Sequence, residues 1–134
     1  KLTIGGHVID MDKVNYPTYV IGGTTDHITP WKAVYETARL YGDDTTFVLS
    51  NSGHLQSLLN PPGNPKSWYV KGVADKENAD KWSESATKHE GTWWLDWAAH
   101  LKAHGGKQVP APKSPGSKKH QPLGPAPGTY VFEP

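Results

Sequence analysis

The sequence predicts an α/β fold: parallel strands joined by crossover helices, followed by an extended tail. Three observations carry this. Residues 17–50 alternate a β-branched apolar run, a run with helical spacing and a second apolar run. Residues 92–106, TWWLDWAAHLKAHGG, repeat the helical signal between a capping residue and glycine. From Lys107 onward, Pro, Lys, Ser and Gly dominate and periodicity disappears. Residues 1–106 are therefore expected to form the folded part. Residues 107–134 are expected to be a Pro-rich tail lying over its surface.

Each element has a local cause. LTIGGHVIDM reads as two short extended pieces around Gly5-Gly6, a hairpin turn signal. PTYVIGG, residues 17–23, starts after proline, ends in glycines and reads as a short buried strand. In TPWKAVYETARLYGDD, Thr29 is placed to cap a helix whose first position is Pro30. Trp31, Val34, Tyr35, Ala38 and Tyr41 fall on one face, and Gly42 suits the stop. TTFVLS, residues 45–50, is a second strand. A helix between two buried strands implies a right-handed parallel crossover. NPPGNPKSWYV reads as irregular loop. ADKWSESATKHEG reads as a polar helix with His89-Glu90 at its end. In the last helix Thr92 caps, Gly105 stops, and Trp94, Trp97, Ala98 and Leu101 form one face.

Composition excludes several classes. The 134 residues suit one domain or part of one. The apolar fraction of 35 %, with 14 Gly and 12 Pro, allows a modest core, to which six Trp and six Tyr bring bulk. A net charge of +1 gives no long-range field for nucleic acid or an anionic membrane. No apolar run approaches the ~20 residues of a membrane span. The opening KLTIGGHVIDMDK lacks the apolar run of a secretory signal. Without cysteine there is no disulfide and no thiolate zinc site. His100 and His104 stand four apart, a spacing that can bind zinc, although a solvated helix face is the stronger reading. The Trp93, Trp94 and Trp97 cluster reads as core or interface.

The chemistry centres on Asp26 and His54. In open parallel sheets, ligands bind beyond the carboxyl ends of the strands. Asp26 follows the first strand of the crossover and His54 the second. If the two strands are neighbours, about 4.8 Å apart, both loops leave at one rim. An aspartate there can fix the tautomer of an imidazole and stabilise its protonated form while the ring relays a proton. From spacing alone, turn-forming roles for both residues are equally open. His27, beside Asp26, reads first as structural and second as lining a pocket. The order acid then histidine is that of α/β-hydrolases, in which a nucleophile comes first. No nucleophile motif precedes the pair, so the chain reads as the last third of such a fold.

These residues carry a resemblance. DHITPWKAVY, FVLSNSGHLQSLLNPPGNPKSWY, WWLDWAAHL, LGPAPGTYVFEP and IGGHVIDMDKVNYPTYVIGG closely resemble poly(3-hydroxyalkanoate) synthases, over nearly the whole chain. The resemblance implies the C-terminal part of an α/β-hydrolase-like catalytic domain. It implies polymerisation of 3-hydroxyacyl-CoA with release of CoA. His54 matches the catalytic histidine that activates a cysteine thiol, and Asp26 the catalytic aspartate of a Cys-His-Asp triad, which helps activate the 3-hydroxyl of the substrate or growing chain, directly or through the histidine. The cysteine would lie on a missing N-terminal part, so the chain alone is expected to be inactive. His27, Trp31 and Trp68 are expected to bind substrate, and Trp31, Pro61, Pro62 and Trp68 to help keep the pocket dry. No cofactor is expected. The implied partners are the acyl-CoA, the growing polyester, the N-terminal part of the enzyme and, since the family tends toward dimers, a second copy. The implied location is cytoplasmic, at the surface of polyester granules. A serine esterase or depolymerase of the same fold, or a non-catalytic granule-associated module, are the competing readings.

Overall fold

The computed structural model of the chain describes residues 2–41, 44–74 and 78–133. Strands β1 (Thr3–Ile4) and β2 (His7–Val8) form an antiparallel hairpin whose turn residues, Gly5 and Gly6, both sit at positive φ. A two-residue turn of this kind favours glycine because a Cβ would clash.

The main sheet has four strands in the order β3 (Thr18–Gly23), β4 (Thr45–Ser50), β5 (Trp68–Val73) and β6 (Thr87–Glu90). β3 and β4 are parallel, with Thr18 opposite Thr45 and Gly23 opposite Ser50. Helix α1 (Trp31–Arg39) connects them, as its spacing predicts. Tyr35 and Ala38 are buried and Trp31, Val34 and Tyr41 half-buried, so the expected face is the one that packs. The expected stop at Gly42 lies outside the described residues.

Three expectations are corrected. The start of α1 does not use Thr29 as its cap: Pro30 occupies that position, and the Thr29 hydroxyl donates to Asp26 at 2.8 Å. Donation to the charged carboxylate fixes the Thr29 side chain on Asp26. The end of the stretch expected as loop, residues 68–70, belongs to β5 (Trp68–Val73), antiparallel to β4. Residues 79–90, expected as one helix, split into α3 (Ala79–Ser85) and β6, antiparallel to β5, with His89-Glu90 on that strand. The fold is thus α/β with a mixed sheet rather than an all-parallel one. A parallel return needs a crossover of a dozen or more residues across a sheet face. Between β4 and β5 the only helix is the five-residue α2 (His54–Leu58), so the chain turns back on itself.

The two faces of the sheet have separate cores, as alternation along a strand requires. On one face Phe47 and Leu49 of β4 meet Tyr35, Ala38 and Trp82, with Val20 and Val70 beside them. Tyr35, Phe47 and Trp82 lie with ring centroids 4.9–5.2 Å apart. Gly72 is required here: a Cβ would come 2.9 Å from the Trp82 indole nitrogen, which donates to the Val73 carbonyl. On the other face Val48, Tyr69 and Trp93 form a smaller cluster with Tyr19, Ile21 and Trp94.

Helix α4 (Trp94–His104) closes this second face through its first turns. Thr92, expected as the cap, stands one residue before it: Trp93 occupies the cap position, although the Thr92 hydroxyl accepts from the Trp94 amide at 3.1 Å, and Gly105 ends the helix as expected. The expected apolar face of α4 is only partly used, since Trp97 and Leu101 are 41 % and 48 % exposed. The helix is fixed instead by Asp96. Its carboxylate accepts from the Tyr19 hydroxyl at 2.8 Å and from the Lys71 ammonium at 2.6 Å. His100 packs on the Tyr19 ring at 5.2 Å, and His89 stacks on Tyr69 at 4.9 Å. Burial alone would raise the Asp96 carboxyl above its ordinary value; the hydrogen bonds from Lys71 and Tyr19 and the charge of Lys71 outweigh it and hold it below. A carboxyl lowered by folding stabilises the fold fully above its unfolded value of about 3.9, and that stability is lost as pH falls through the folded value. Asp96→Asn is therefore expected to cost about 1 kcal/mol near pH 7, because the site is partly open to solvent. Thermal melts of both forms from pH 7 to pH 3 check this: the gap should narrow in acid.

Residues 107–133 are exposed and carry one short 3-10 turn, Tyr130–Phe132. Among the described residues no helix is long and apolar enough to cross a membrane.

Candidate functional site

The turns after β3 and β4 leave the sheet at the same rim and are stitched to each other. The Thr24 amide donates to the Ser50 carbonyl at 3.0 Å and the Thr25 amide to the Ser52 carbonyl at 3.2 Å. The Ser52 amide donates back to the Thr24 hydroxyl at 3.1 Å. Ser52 holds φ at 86°, a conformation that favours glycine, so the turn leading into α2 is strained. The strain persists because the cross-loop hydrogen bonds fix both sides of it.

Asp26 and His54 come together here. His54 Nδ1 lies 2.9 Å from Asp26 Oδ2. A carboxylate can only accept, so the ring carries its proton on Nδ1 when neutral, and Nε2 is the nitrogen that can take a proton. Asp26 is saturated: Oδ1 accepts from the amides of Ile28 and Thr29, both at 2.9 Å, and Oδ2 also accepts from the Thr29 hydroxyl. The Asp26 side chain is 6 % exposed and that of His54 38 %. The hydrogen bond from the Thr29 amide is the largest cause that holds the Asp26 carboxyl far below the usual range; it outweighs burial, and bonds from His54, the Thr29 hydroxyl and the Ile28 amide add to it. The acid is thus a fixed negative charge at every pH near neutrality, while the ring remains reachable from solvent. Such a pair can accept a proton at Nε2 and stabilise the resulting imidazolium.

The other residues singled out in the sequence lie on several elements. His27 is exposed in the loop after β3. Trp31 packs against the core of Tyr35, Phe47 and Trp82, with Lys32 5.8 Å from its ring centroid. Trp68 opens β5, half-buried, under Lys88 at 5.3 Å. Pro61 and Pro62 are exposed. A polar cleft of about 380 Å³ lies between the turn into α2 and the loop before β5, lined by Asn51, Ser52, Gln56, Asn60 and Lys66 among others. Its amides brace the loop: Asn51 bonds to the Lys66 carbonyl and the Trp68 amide, and Asn60 accepts from Ser67 at 2.5 Å. His100 and His104 pair with each other, the His104 ring contacting the His100 carbonyl at 2.9 Å. The sequence reading missed Asp96 and the hydrogen bonds of Trp93 and Trp94. Their partners lie on other elements, so no local spacing announces them.

Fold and site together define a protein with an acid–histidine pair at the carboxyl rim of a parallel strand pair. No protein-family model matches the chain. Its sequence is 46 % and 44 % identical, over 98 % of its length, to poly(3-hydroxyalkanoate) polymerases 2 and 1 of Ectopseudomonas oleovorans, covering 23 % and 24 % of those proteins. It is 37 % identical over 98 % of its length to the poly(3-hydroxyalkanoate) polymerase subunit PhaC of Cupriavidus necator, covering 22 % of it. The chain is therefore a homologue of the poly(3-hydroxyalkanoate) polymerases and spans just under a quarter of the length of the curated relatives it matches.

Proposed function

We propose that the chain supplies the acid and the base of an acyltransferase that polymerises 3-hydroxyacyl-CoA into polyester. It would be the C-terminal part of an α/β-hydrolase-like catalytic domain, working without a cofactor at the surface of polyester granules. The observation that carries the reading is the 2.9 Å contact between His54 Nδ1 and a saturated Asp26, in a chain homologous to polymerases of this name. The 134 residues contain no cysteine, so the nucleophilic thiol comes from polypeptide beyond them.

The cycle follows from the pair. His54 Nε2 takes the thiol proton, and the thiolate attacks the thioester carbonyl of the acyl-CoA. The carbon–sulfur bond to CoA breaks, and the CoA sulfur leaves with the proton from the imidazolium. Next, Nε2 takes the proton of an incoming 3-hydroxyl, whose oxygen attacks the enzyme-bound thioester. An ester bond forms, the enzyme thiolate departs, and the proton on His54 returns to it. Asp26 stays ionised and stabilises the imidazolium in both halves. The tail from residue 107 would lie on a surface of the complete enzyme, which would act as a dimer.

Given 3-hydroxybutyryl-CoA, the complete polypeptide is expected to release CoA and leave polyester. Quantifying polymer and free 3-hydroxybutyrate by chromatography checks this. Free acid as the main product would assign a hydrolase of the same fold instead.

A further inference from the structure

Helix α2, which His54 opens, has five residues and no side-chain cap at its start. A helix this short does not persist by itself. Its last carbonyls have no partners within the helix and need them from elsewhere. They find them in three consecutive side chains before and at the start of α4. The Trp93 indole donates to the Ser57 carbonyl at 2.7 Å. The Trp94 indole donates to the Leu58 carbonyl at 2.9 Å. The Thr92 hydroxyl donates to the Asn60 carbonyl, two residues beyond the helix. Trp93 is 5 % exposed and packs on Val48 and Tyr69, so its indole cannot drift. Three residues on, Asp96 ties the same helix to Tyr19 of β3 and Lys71 of β5.

We propose that Trp93, Trp94 and Thr92 are positioning residues that hold His54 against Asp26 by fixing the far end of α2. The route is continuous. β3 carries Asp26 just past its end, and through Tyr19 and Asp96 it also references the helix that grips α2. Both members of the pair are thereby located against one strand. Trp93 acts on the ring through Ser57, three residues from His54, by way of the backbone of a single helical turn.

This inference rests on the reading of His54 as the base. Trp93→Phe keeps an aromatic ring and removes the donor. In the complete polymerase, with 3-hydroxybutyryl-CoA as substrate, it is expected to lower kcat about 10-fold and leave KM within about 2-fold. The decisive readout is coupling. Placed in an Asp26→Asn background, Trp93→Phe should lower kcat by less than about 2-fold, since the alignment it protects is already lost. A merely structural role would give the same loss in both backgrounds. If Trp93→Phe does not fold, Trp94→Phe, at a half-buried site, decides on the same criteria with an expected loss of about 3-fold. His54→Ala is the control. If it abolishes turnover while the tryptophan variants keep full kcat, or lose it equally in both backgrounds, positioning is overturned and the base reading stands. Turnover retained in His54→Ala overturns both.

Discussion

His54→Ala is expected to lower CoA release from 3-hydroxybutyryl-CoA about 10⁴-fold or more in the complete polypeptide, with the fold intact. The ring is the group here with both a fixed tautomer and an exposed second nitrogen. In the proposed cycle, neither the thiol nor the incoming hydroxyl would then have a base to receive its proton. The fold should survive because Asp26 keeps its donors from Ile28 and from the amide and hydroxyl of Thr29. A thermal midpoint within a few degrees of the parent, beside collapsed turnover, is the expected pairing. Asp26 is ionised throughout the working range, so any acid limb of the rate above about pH 4 belongs to another group. Turnover within about 3-fold of the parent would remove His54 from the chemistry.

Gly23→Ala is expected to lower turnover strongly as well, though less than His54→Ala, at a residue that takes no part in proton transfer. Gly23 ends β3, and a Cβ there would stand 2.8 Å from Ser57 Oγ, 2.9 Å from the Ser52 carbonyl oxygen and 2.9 Å from Ser57 Cβ. Ser57 is buried, and its carbonyl is held by Trp93, so it cannot retreat. The added methyl must push α2 outward and carry His54 with it. Overpacking of this kind costs about 1–3 kcal/mol. A displacement near 1 Å lowers turnover about 100-fold. Gly53→Ala is the matched comparison: its Cβ would meet Thr25 at 3.5 Å, an ordinary contact, on an extended backbone that alanine adopts freely. Chemical denaturation and CoA release on both variants check the pair. Equal effects from the two substitutions would mean that packing under α2 does not set the geometry.

The half of the fold that bears the site was legible because its signals are local. β-branched and aromatic runs ending in glycine or serine mark β3 and β4, and helical spacing marks α1. Those elements alone bring Asp26 and His54 to one rim. The remainder depends on partners that no local pattern encodes. β5 hides behind the Pro-rich stretch before it, and Gly72 breaks its apolar run to admit the Trp82 ring. β6 reads Thr-Lys-His-Glu, with no apolar face, because it is the last strand of the sheet and largely exposed. Thr29 reads as a helix cap because both roles take a small hydroxyl beside a turn: a cap accepts from an amide, whereas Thr29 donates to a carboxylate. The three-residue grip on α2 joins positions 36 and 32 apart in sequence, a distance at which only the folded chain supplies the information.

The reversal at β5 has a consequence for how the molecule can be altered. β6 runs back antiparallel to β5, so the chain returns at Gly91 to the rim where β3 and β4 end. Ala74, just past β5, sits at the opposite pole of the sheet, and its amide donates to the Thr45 carbonyl at the start of β4. The hairpin thus separates a reactive pole, built by three converging segments, from a remote pole with no share in it. Sequence drift, spliced tags or crosslinkers belong at the remote pole, where a change of length leaves the Asp26–His54 geometry untouched.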